Sequence, residues 1–363
     1  MRVSAKVIYR PLPESPVTSF RPSQACERQP LLLEKTYEHS RYRRRRIRWQ
    51  PRRPLAGHEV WIYDNLSVGH PAAALLGRLI VGELADEPRL QAVLKEHSIE
   101  AVMHFAAFAL VGESVLDPAK YYHNNVAATL SLLDAMRDIG VSQLAFSSTT
   151  ATYRAPQRIP ITEDERQLPI NPYGFSKLVV ERALADCAQA YGLGYAALRY
   201  FNAAGASPDG DLGEDHTPES HLIPIVLQVA LGQRQQITIF GADYPTPDGT
   251  CIRDYVHVDD LAQAHLLALE KLAPGKGLHL SLGTGRGYSV RQVIDACRKV
   301  TGHTIPETLF IRRPGDPPEL VADASRAHRQ LGWTPRYPDI ESIAATAWKW
   351  PQSHPQGYDD KSK

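Results

Sequence analysis

The sequence predicts an α/β protein built on a doubly wound parallel sheet. After Gly57, short apolar runs alternate with helical patterns, which is the order of elements that produces parallel strands with crossover helices. The runs predict strands at residues 59–64, 79–84, 101–105, 143–147 and 195–200, and a long helical pattern covers residues 118–139. Hydroxyl side chains follow the fourth run, at the sheet edge where such folds place their ligands.

Beyond Tyr200 the composition changes, and it predicts a smaller interwoven α/β lobe. Pro, Gly and Asp dominate residues 206–218 and 241–250, which predicts two long loops. Helices are expected at residues 258–272, 289–300 and 325–331. We therefore expect a doubly wound domain at 56–202 and 251–272, a smaller lobe at 203–250 and 273–350, and a polar tail at 351–363 that frays.

The composition is that of an ordinary soluble protein. The chain has 363 residues, of which 43% are hydrophobic and 22% charged, and no apolar run reaches the roughly 18 residues of a membrane span. We expect a cytoplasmic protein that binds neither membranes nor nucleic acid. Its four cysteines are widely spaced without a Cys-x-x-Cys pair, which indicates reduced thiols and predicts no metal site.

Tyr173 and Lys177 form the motif that carries the predicted chemistry. They stand four residues apart in a helical pattern that begins at Pro172, so they share one face of the helix. An ammonium beside a phenol favours the phenolate, and we expect Lys177 to lower the pKa of Tyr173 towards neutrality. The bland interpretation is an exposed helical pair. The hydroxyls of 147–150, one short connection upstream, favour a base for alcohol oxidation instead.

These residues and a series of ordered segments resemble the extended short-chain dehydrogenase/reductase superfamily and, within it, the UDP-glucose (UDP-galactose) 4-epimerase family. The resemblance runs from about Gly57 to about Trp350. The segments that carry it, beside the Tyr173 motif, are Tyr63-Asp-Asn-Leu-Ser67, His104-Phe-Ala-Ala107, Val111-Gly-Glu-Ser-Val115, Tyr121-Tyr-His-Asn-Asn125, Tyr200-Phe-Asn-Ala-Ala-Gly205, Asp243-Tyr-Pro-Thr-Pro-Asp-Gly-Thr250 and Arg253-Asp-Tyr-Val-His257.

The resemblance implies a Rossmann-like fold and an isomerase with tightly bound NAD that interconverts UDP-galactose and UDP-glucose in galactose metabolism. Tyr173 would take the proton of the sugar 4-hydroxyl while C4 gives a hydride to NAD⁺. The 4-keto sugar would then turn and be reduced on its other face. Thr149 matches the catalytic Ser/Thr, and Lys177 would also bond the nicotinamide ribose.

The resemblance also implies the binding residues. Asp64 ends the second predicted strand, where an acid bonds the ribose 2′-hydroxyl and favours NAD over NADP. Glu83 departs from the shorter Asp of the family. The implied cofactor residues are Asp64, Asn65, Glu83, Leu84, Phe105, Ala106, Ala107, Asn124, Tyr173, Lys177 and Phe201. The implied substrate residues are Thr149, Asn202, His221, Leu222, Thr238, Ile239, Phe240, Arg253, Arg313 and Asp316.

The glycine-rich turn that should open a dinucleotide fold is missing. No glycine precedes Gly57, and residues 41–54 form an arginine-rich run whose side chains and prolines cannot make that turn. Residues 1–55 carry 14 Lys and Arg against four Asp and Glu, so this atypical basic segment differs in charge from the rest. A basic arm for nucleic acid is the alternative, but nothing near it resembles a base-reading module.

We hypothesise a local frameshift across residues 39–53. If the arginines use CGN codons, a frame displaced by one base spells Ile-Leu-Val-Thr-Gly-Gly-Ala-Gly-Tyr-Val-Gly-Ser-His-Ala-Val. In that frame Arg43, Arg44, Arg46 and Trp49 overlie the glycines. Such a turn would bring main-chain N–H groups to the pyrophosphate of NAD.

Three rival functions stay open. A nucleotide-sugar dehydratase or another epimerase of the superfamily shares the oxidation at C4, but a dehydratase needs carboxylates beside the catalytic threonine, where Thr150 and Ala151 stand. A catalytically impaired UDP-sugar-binding relative is the third. Leu320 does not decide tolerance for N-acetylated sugars, and a homodimer through the helices at 118–139 and 172–191 is expected by resemblance.

Overall fold

A computed structural model describes residues 58–358, apart from residues 76, 154, 155, 157, 217, 314 and 315, together with the backbone of residues 6–11. The arginine-rich run and the hypothesised turn lie outside the described residues. Within the described residues, no helix is both long and apolar enough to cross a bilayer.

A seven-stranded sheet forms the larger part of the molecule, and its strand order is β3-β2-β1-β4-β5-β6-β10. This is the order of the Rossmann fold, extended by one strand. The predicted strands are confirmed to within a few residues. The bounds are β1 Lys6–Pro11, β2 His58–Asp64, β3 Arg78–Val81, β4 Ala101–His104, β5 Gln143–Ser147, β6 Gly194–Tyr200 and β10 Gly277–Leu282.

Strand β1 departs from the predicted parallel arrangement. It lies between β2 and β4, antiparallel to both, with Lys6 opposite Tyr63 and His104 and with Pro11 opposite His58. Its amino end therefore lies at the edge where β2 and β4 end, and the chain leaves it from the opposite edge. In a doubly wound fold the phosphate-binding turn follows the first strand at the ligand edge.

Helices cover both faces of the sheet because successive strand residues point to opposite sides. On one face, Val102 and Leu144 pack against α1 (Glu87–Glu96), α4 (Ala128–Ile139) and α5 (Pro172–Tyr191). On the other face, Met103 and Ala145 pack with Leu266 and Leu269 of α7 (Val258–Glu270). Both faces of the strands are thus buried, which is why they read as continuous apolar runs.

The predicted helix at 118–139 is interrupted. After α2 (Val111–Leu116), the chain forms α3 (Pro118–Tyr121), a π-helical turn at Tyr122–Ala127, and then α4. Buried Asn125 in this turn accepts a hydrogen bond from the Phe108 N–H and donates one to the Phe108 carbonyl, each at 2.9 Å. The turn thereby fixes the loop that follows β4 beside the site.

The second lobe forms around a small sheet in which β9 pairs with β7, β11 and β13. A two-stranded sheet of β8 and β12 and three packed helices complete it. The predicted helices at 258–272, 289–300 and 325–331 are confirmed, and the described residues of 206–218 and 241–250 form loops. The bounds are β7 Asn202–Ala204, α6 Leu222–Ala230, β8 Ile237–Phe240, β9 Ile252–His257, β11 Gly287–Ser289, α8 Val290–Thr301, β12 Glu307–Phe310, β13 Glu319–Leu320, α9 Ser325–Leu331 and α10 Ile340–Ser353.

The prediction that residues 351–363 fray is wrong for their described part. Helix α10 extends to Ser353, and the Tyr358 ring lies 4.4 Å from the Trp350 ring at an angle of 43°. The Tyr358 hydroxyl bonds both main-chain groups of Gly213, and its N–H donates to Asp215 at 2.8 Å. These bonds dock the segment on the loop before α6, an outcome that its polar composition did not indicate.

Candidate active site

A cavity lies at the carboxyl ends of β4, β5 and β6, where a doubly wound sheet binds its ligand. It brings together ten of the predicted site residues from both lobes. They are Phe105, Ala107, Thr149, Tyr173, Lys177, Phe201, Asn202, His221, Arg253 and Asp316.

Close packing at the start of α5 brings Tyr173 to Thr149. Asn171 caps the helix by accepting a hydrogen bond from the Gly174 N–H at 2.8 Å, and Pro172 occupies the first helical position. A Cβ on Gly174 would stand 2.1 Å from the carbonyl oxygen of Ala151, so only glycine permits this approach. The Thr149 hydroxyl is brought close enough to the Tyr173 phenol to favour its anion as a result.

The protein's own groups do not make Tyr173 acidic. Burial raises the pKa of Tyr173, and the hydrogen bond with Thr149 offsets only part of that rise. The direction is opposite to the one predicted from the Tyr-x-x-x-Lys spacing. The reason is that the phenol is buried, so its anion loses solvation that the helical neighbour alone does not replace.

Lys177 is buried and fixed by the main chain. Its Nζ donates a hydrogen bond to the carbonyl oxygen of Ser147 at 2.8 Å and lies 4.7 Å from the centre of the Phe146 ring. Burial lowers the pKa of Lys177 from 10.5 to about 7, although the charge of Glu181 opposes this. The amine is therefore held at the end of β5 and titrates near neutral pH.

A buried ion pair lies beneath these groups, and sequence reasoning missed it. Glu181 receives hydrogen bonds from Arg199 Nε, at 2.9 Å, and from Ser148 Oγ. Arg199 also donates to the Tyr153 hydroxyl at 2.7 Å. Burial opposes the charge of Glu181, but hydrogen bonds with His279 and Arg199 hold its pKa at about 2. The available sequence signal was that Glu181 comes four residues after Lys177 on α5, which places both side chains on one face of the helix.

The predicted cofactor residues fall into two groups. Phe105, Ala107 and Phe201 line the cavity beside Tyr173 and Lys177, and buried Asp64 at the end of β2 accepts a hydrogen bond from the Leu66 N–H at 2.6 Å. Asp64 and the remaining predicted cofactor residues lie outside the cavity lining. Asn65 donates to the Glu83 carboxylate at 3.0 Å, Leu84 packs against the core, Asn124 donates to Asn125 at 2.9 Å, and Ala106 follows Phe105.

These side chains fit the nicotinamide and the adenosine ends of NAD. Lys177 offers an N–H donor beside Phe105, and Asp64 offers a carboxylate at the end of β2, where a ribose is bonded in such folds. The residues that would contact the pyrophosphate lie outside the described part of the chain. The described residues therefore offer suitable groups for the two ends of NAD.

The predicted substrate residues lie mostly in the second lobe. Arg253 forms an ion pair with Asp316, with Nη2 to Oδ1 at 2.6 Å, and both line the cavity near Asn202. The Arg313 guanidinium lies 4.2 Å from the centre of the Phe240 ring. Five predicted substrate residues, Arg313 among them, lie outside the cavity lining. Three of the others, Thr238, Ile239 and Phe240, belong to strand β8, which pairs with β12. The fifth, Leu222, is the first residue of α6.

A further group of titratable residues was not predicted from the sequence. Glu214, His216, Glu219 and His221 lie together in the loop before α6, and the imidazole and carboxylate atoms of all four lie within 4.8 Å of one another. The alternation of Glu and His over eight residues is a sequence signal for this group, and the cysteine spacing does not reveal it.

Comparison with known proteins places the chain in a family. The family model described as NAD dependent epimerase/dehydratase matches residues 52–283. The UDP-glucose 4-epimerase of Halalkalibacterium halodurans is 51% identical over 308 residues, which cover 85% of this chain and 92% of that protein. The UDP-glucose 4-epimerase of Streptomyces lividans is 49% identical over 308 residues, covering 84% and 92%.

Solved structures agree. The crystal structure of UDP-glucose 4-epimerase from Brucella ovis in complex with NAD has a TM-score of 0.76 and 51% identity, covering 79% of this chain and 88% of that chain. The structure from Bifidobacterium longum in complex with NAD⁺ and UDP has a TM-score of 0.77 and 38% identity, covering 82% and 91%.

Proposed function

This chain belongs to the NAD dependent epimerase/dehydratase family, and from that premise we propose that it is an isomerase that interconverts UDP-galactose and UDP-glucose. The observation that carries the proposal is that Thr149, Tyr173 and Lys177 line one cavity at the ligand edge of the sheet. Those groups are what the oxidation of a sugar hydroxyl requires. Similarity to UDP-glucose 4-epimerases over 84–85% of the chain supports the same substrate.

Each of the three residues has its own task. Tyr173 accepts the proton of the sugar 4-hydroxyl and later returns it to the 4-keto oxygen. Thr149 accepts a hydrogen bond from the Ala151 N–H at 3.1 Å, which leaves its own proton free to bond the phenol or the sugar oxygen. Lys177, fixed by Ser147, would bond the nicotinamide ribose. NAD⁺ supplies the hydride acceptor when it is bound between Phe105, Lys177 and Asp64.

The second lobe would hold UDP. Arg253 and Arg313 offer guanidinium groups suited to a diphosphate, and Arg253 would exchange part of its pairing with Asp316 for phosphate oxygens. Asn202 and His221 line the same cavity. Fixing the nucleotide while the hexose turns lets either face of C4 meet the hydride acceptor, which is how the stereocentre is inverted.

Epimerisation is favoured over dehydration by the side chains around Thr149. Among the described residues that line the cavity, the only carboxylate is Asp316, and it is paired with Arg253. Elimination of water needs an acid and a base beside the sugar C5 and C6 positions. The residues that follow Thr149 are Thr150 and Ala151, which supply neither.

The assay is UDP-galactose conversion by the purified full-length chain with added NAD⁺. We expect UDP-glucose to appear in the NMR spectrum without net growth of NADH absorbance. Net NADH growth would indicate a dehydrogenase, and a 4-keto-6-deoxy product would indicate a dehydratase. UDP-N-acetylgalactosamine in a parallel reaction tests the tolerance that Leu320 leaves open.

We also propose a homodimer, because apolar side chains remain exposed on the helices that the resemblance assigns to the interface. Leu130 on α4 is 44% exposed and Phe175 on α5 is 47% exposed. Burying such a patch is favourable by roughly 25 cal/mol per Å². Leu130→Asp should convert the dimer to a monomer in light scattering, whereas Leu309→Asp, at an exposed position of strand β12 in the second lobe, should not.

The division into two lobes and the location remain proposals. We assign residues 56–202 and 251–272 to cofactor binding and 203–250 and 273–350 to substrate binding, although β10, within the last range, extends the large sheet. We place the enzyme in the cytoplasm, and the free thiols of Cys187, Cys251 and Cys297 support that placement.

A further inference from the structure

We propose that Glu214, His216, Glu219 and His221 form a binding site for a divalent transition-metal ion, zinc by preference, in the loop before α6. Two imidazole nitrogens and two carboxylates converge there, with their ligand atoms within 4.8 Å of one another. Imidazole nitrogen with carboxylate oxygen is a donor set that suits zinc. This inference does not depend on the proposed activity, because metal binding is measured without substrate.

The distances between the donor atoms match a four-coordinate ion. His216 Nδ1 lies 3.2 Å from Glu214 Oε1 and 3.5 Å from Glu219 Oε2. His221 Nδ1 lies 3.8 Å from Glu219 Oε1 and contacts Glu214 Oε1 more closely. Two ligand atoms on a tetrahedral zinc with bonds of ~2.1 Å stand ~3.4 Å apart. Three of these separations lie near that value, and the closest pair would have to separate.

The loop around the cluster is held in place by bonds of its own. Glu219 Oε1 accepts hydrogen bonds from the N–H groups of Ser220, at 2.6 Å, and His221, at 2.8 Å, which orients the carboxylate. On the other side, Tyr358 bonds the main chain of Gly213 and the carboxylate of Asp215. Such supporting bonds orient the side chains that coordinate the metal and reduce the conformational entropy that is lost when the metal binds.

The metal would act on the cavity by positioning one of its walls. His221 belongs both to the cluster and to the cavity lining, and its carbonyl begins α6 by accepting from the Ile225 N–H at 3.1 Å. An ion shared by four residues of the loop would lock His221 and Leu222 relative to the substrate. It would be a positioning ion, since it lies behind the imidazole and not at Tyr173.

Zinc binding by the purified, chelator-treated full-length chain tests the proposal. We expect about one zinc per chain, a higher Tm with zinc, and the visible absorption of tetrahedral cobalt when Co²⁺ is added instead. Glu214→Gln and His216→Asn should each weaken zinc binding by more than the roughly 100-fold that loss of a supporting group costs. His303→Asn, an exposed histidine outside the cluster, is the matched control and should bind as the wild type does.

Two results would overturn the site. If the wild type takes up no zinc, the four residues are only an ion-pair cluster of imidazolium and carboxylate groups. If both variants bind as tightly as the wild type, the ion sits elsewhere. Should a variant fail to fold, the wild-type imidazole NMR signals decide: zinc must shift those of His216 and His221 and leave that of His303 unchanged. UDP-galactose conversion, measured separately, reports on the enzyme and not on this site.

Discussion

Lys177 donates its buried hydrogen bond to the main-chain carbonyl of Ser147, 2.8 Å away, so the reactive helix is tied to the last residue of the strand that carries the hydroxyls. This bond sets the depth of α5 against β5. The bond holds the amine in place, and the burial of the amine over the Phe146 ring lowers its pKa towards neutrality.

The low pKa of Lys177 predicts a pH-dependent stability. Between about pH 7 and the unfolded value of 10.5, the unfolded chain binds one more proton, so the folded state gains stability as pH rises. Below pH 7 the Lys177 amine is protonated in both the folded and the unfolded state, so the full free-energy cost of burying its charge opposes folding. Relative to Lys177→Met, the wild type should gain up to ~1.4 kcal/mol per pH unit in this window, measured by urea unfolding. The exposed Lys276→Met should follow the wild type, and identical pH slopes for wild type and Lys177→Met would refute the assignment.

Tyr173→Phe should reduce UDP-galactose turnover by on the order of 100-fold or more, because the proton acceptor is removed while the ring still fills its place. Affinity for UDP, measured by calorimetry, should stay unchanged, since we propose that the nucleotide is held by the second lobe. Tyr191→Phe at the exposed end of α5 serves as the control and should keep full activity. Undiminished turnover in Tyr173→Phe would remove this residue from the mechanism.

The buried pair of Arg199 and Glu181 predicts a large effect on stability. Arg199→Ala leaves a carboxylate without its main partner in the interior, which should cost ~3–5 kcal/mol in the free energy of unfolding. Arg182→Ala removes an ion pair with Asp186 on the surface of the same helix and should cost far less, because solvent screens an exposed pair. Urea denaturation of both variants measures the contrast, and equal losses would contradict it.

Restoring the glycine-rich turn should restore cofactor binding. Replacing residues 39–53 by the fifteen residues of the displaced frame supplies main-chain N–H groups for the pyrophosphate, which the arginine-rich run cannot offer. We expect NAD to copurify with the repaired chain and far less with the present one, measured after denaturation by absorbance. A repaired chain with alanine at the four glycine positions is the control. Equal NAD content in the present and repaired chains would end the frameshift hypothesis.

Much of the fold follows from local patterns. The apolar run at 143–147 and the helix beginning at Pro172 predicted β5 and the start of α5 without error, because a strand buried on both faces and a helix with proline at its first position leave short-range signals. The interruption of the predicted helix at 118–139 does not follow from local patterns. Its π-helical turn depends on Asn125 bonding Phe108, 17 positions away along the chain, and helical periodicity does not report such a partner.

By itself the sequence determined which chemistry is available: a tyrosine and a lysine on one helical face, hydroxyls at the end of a strand, and no glycine where a phosphate turn belongs. Spacing along the chain is enough for these, since helices and strands have fixed periods. Only the tertiary structure decided that β1 runs antiparallel and that burial raises the pKa of Tyr173. It also brought the side chains of Glu214, His216, Glu219 and His221 together before α6. Each of those depends on solvent exclusion or on the path of a loop, and neither is encoded by spacing alone.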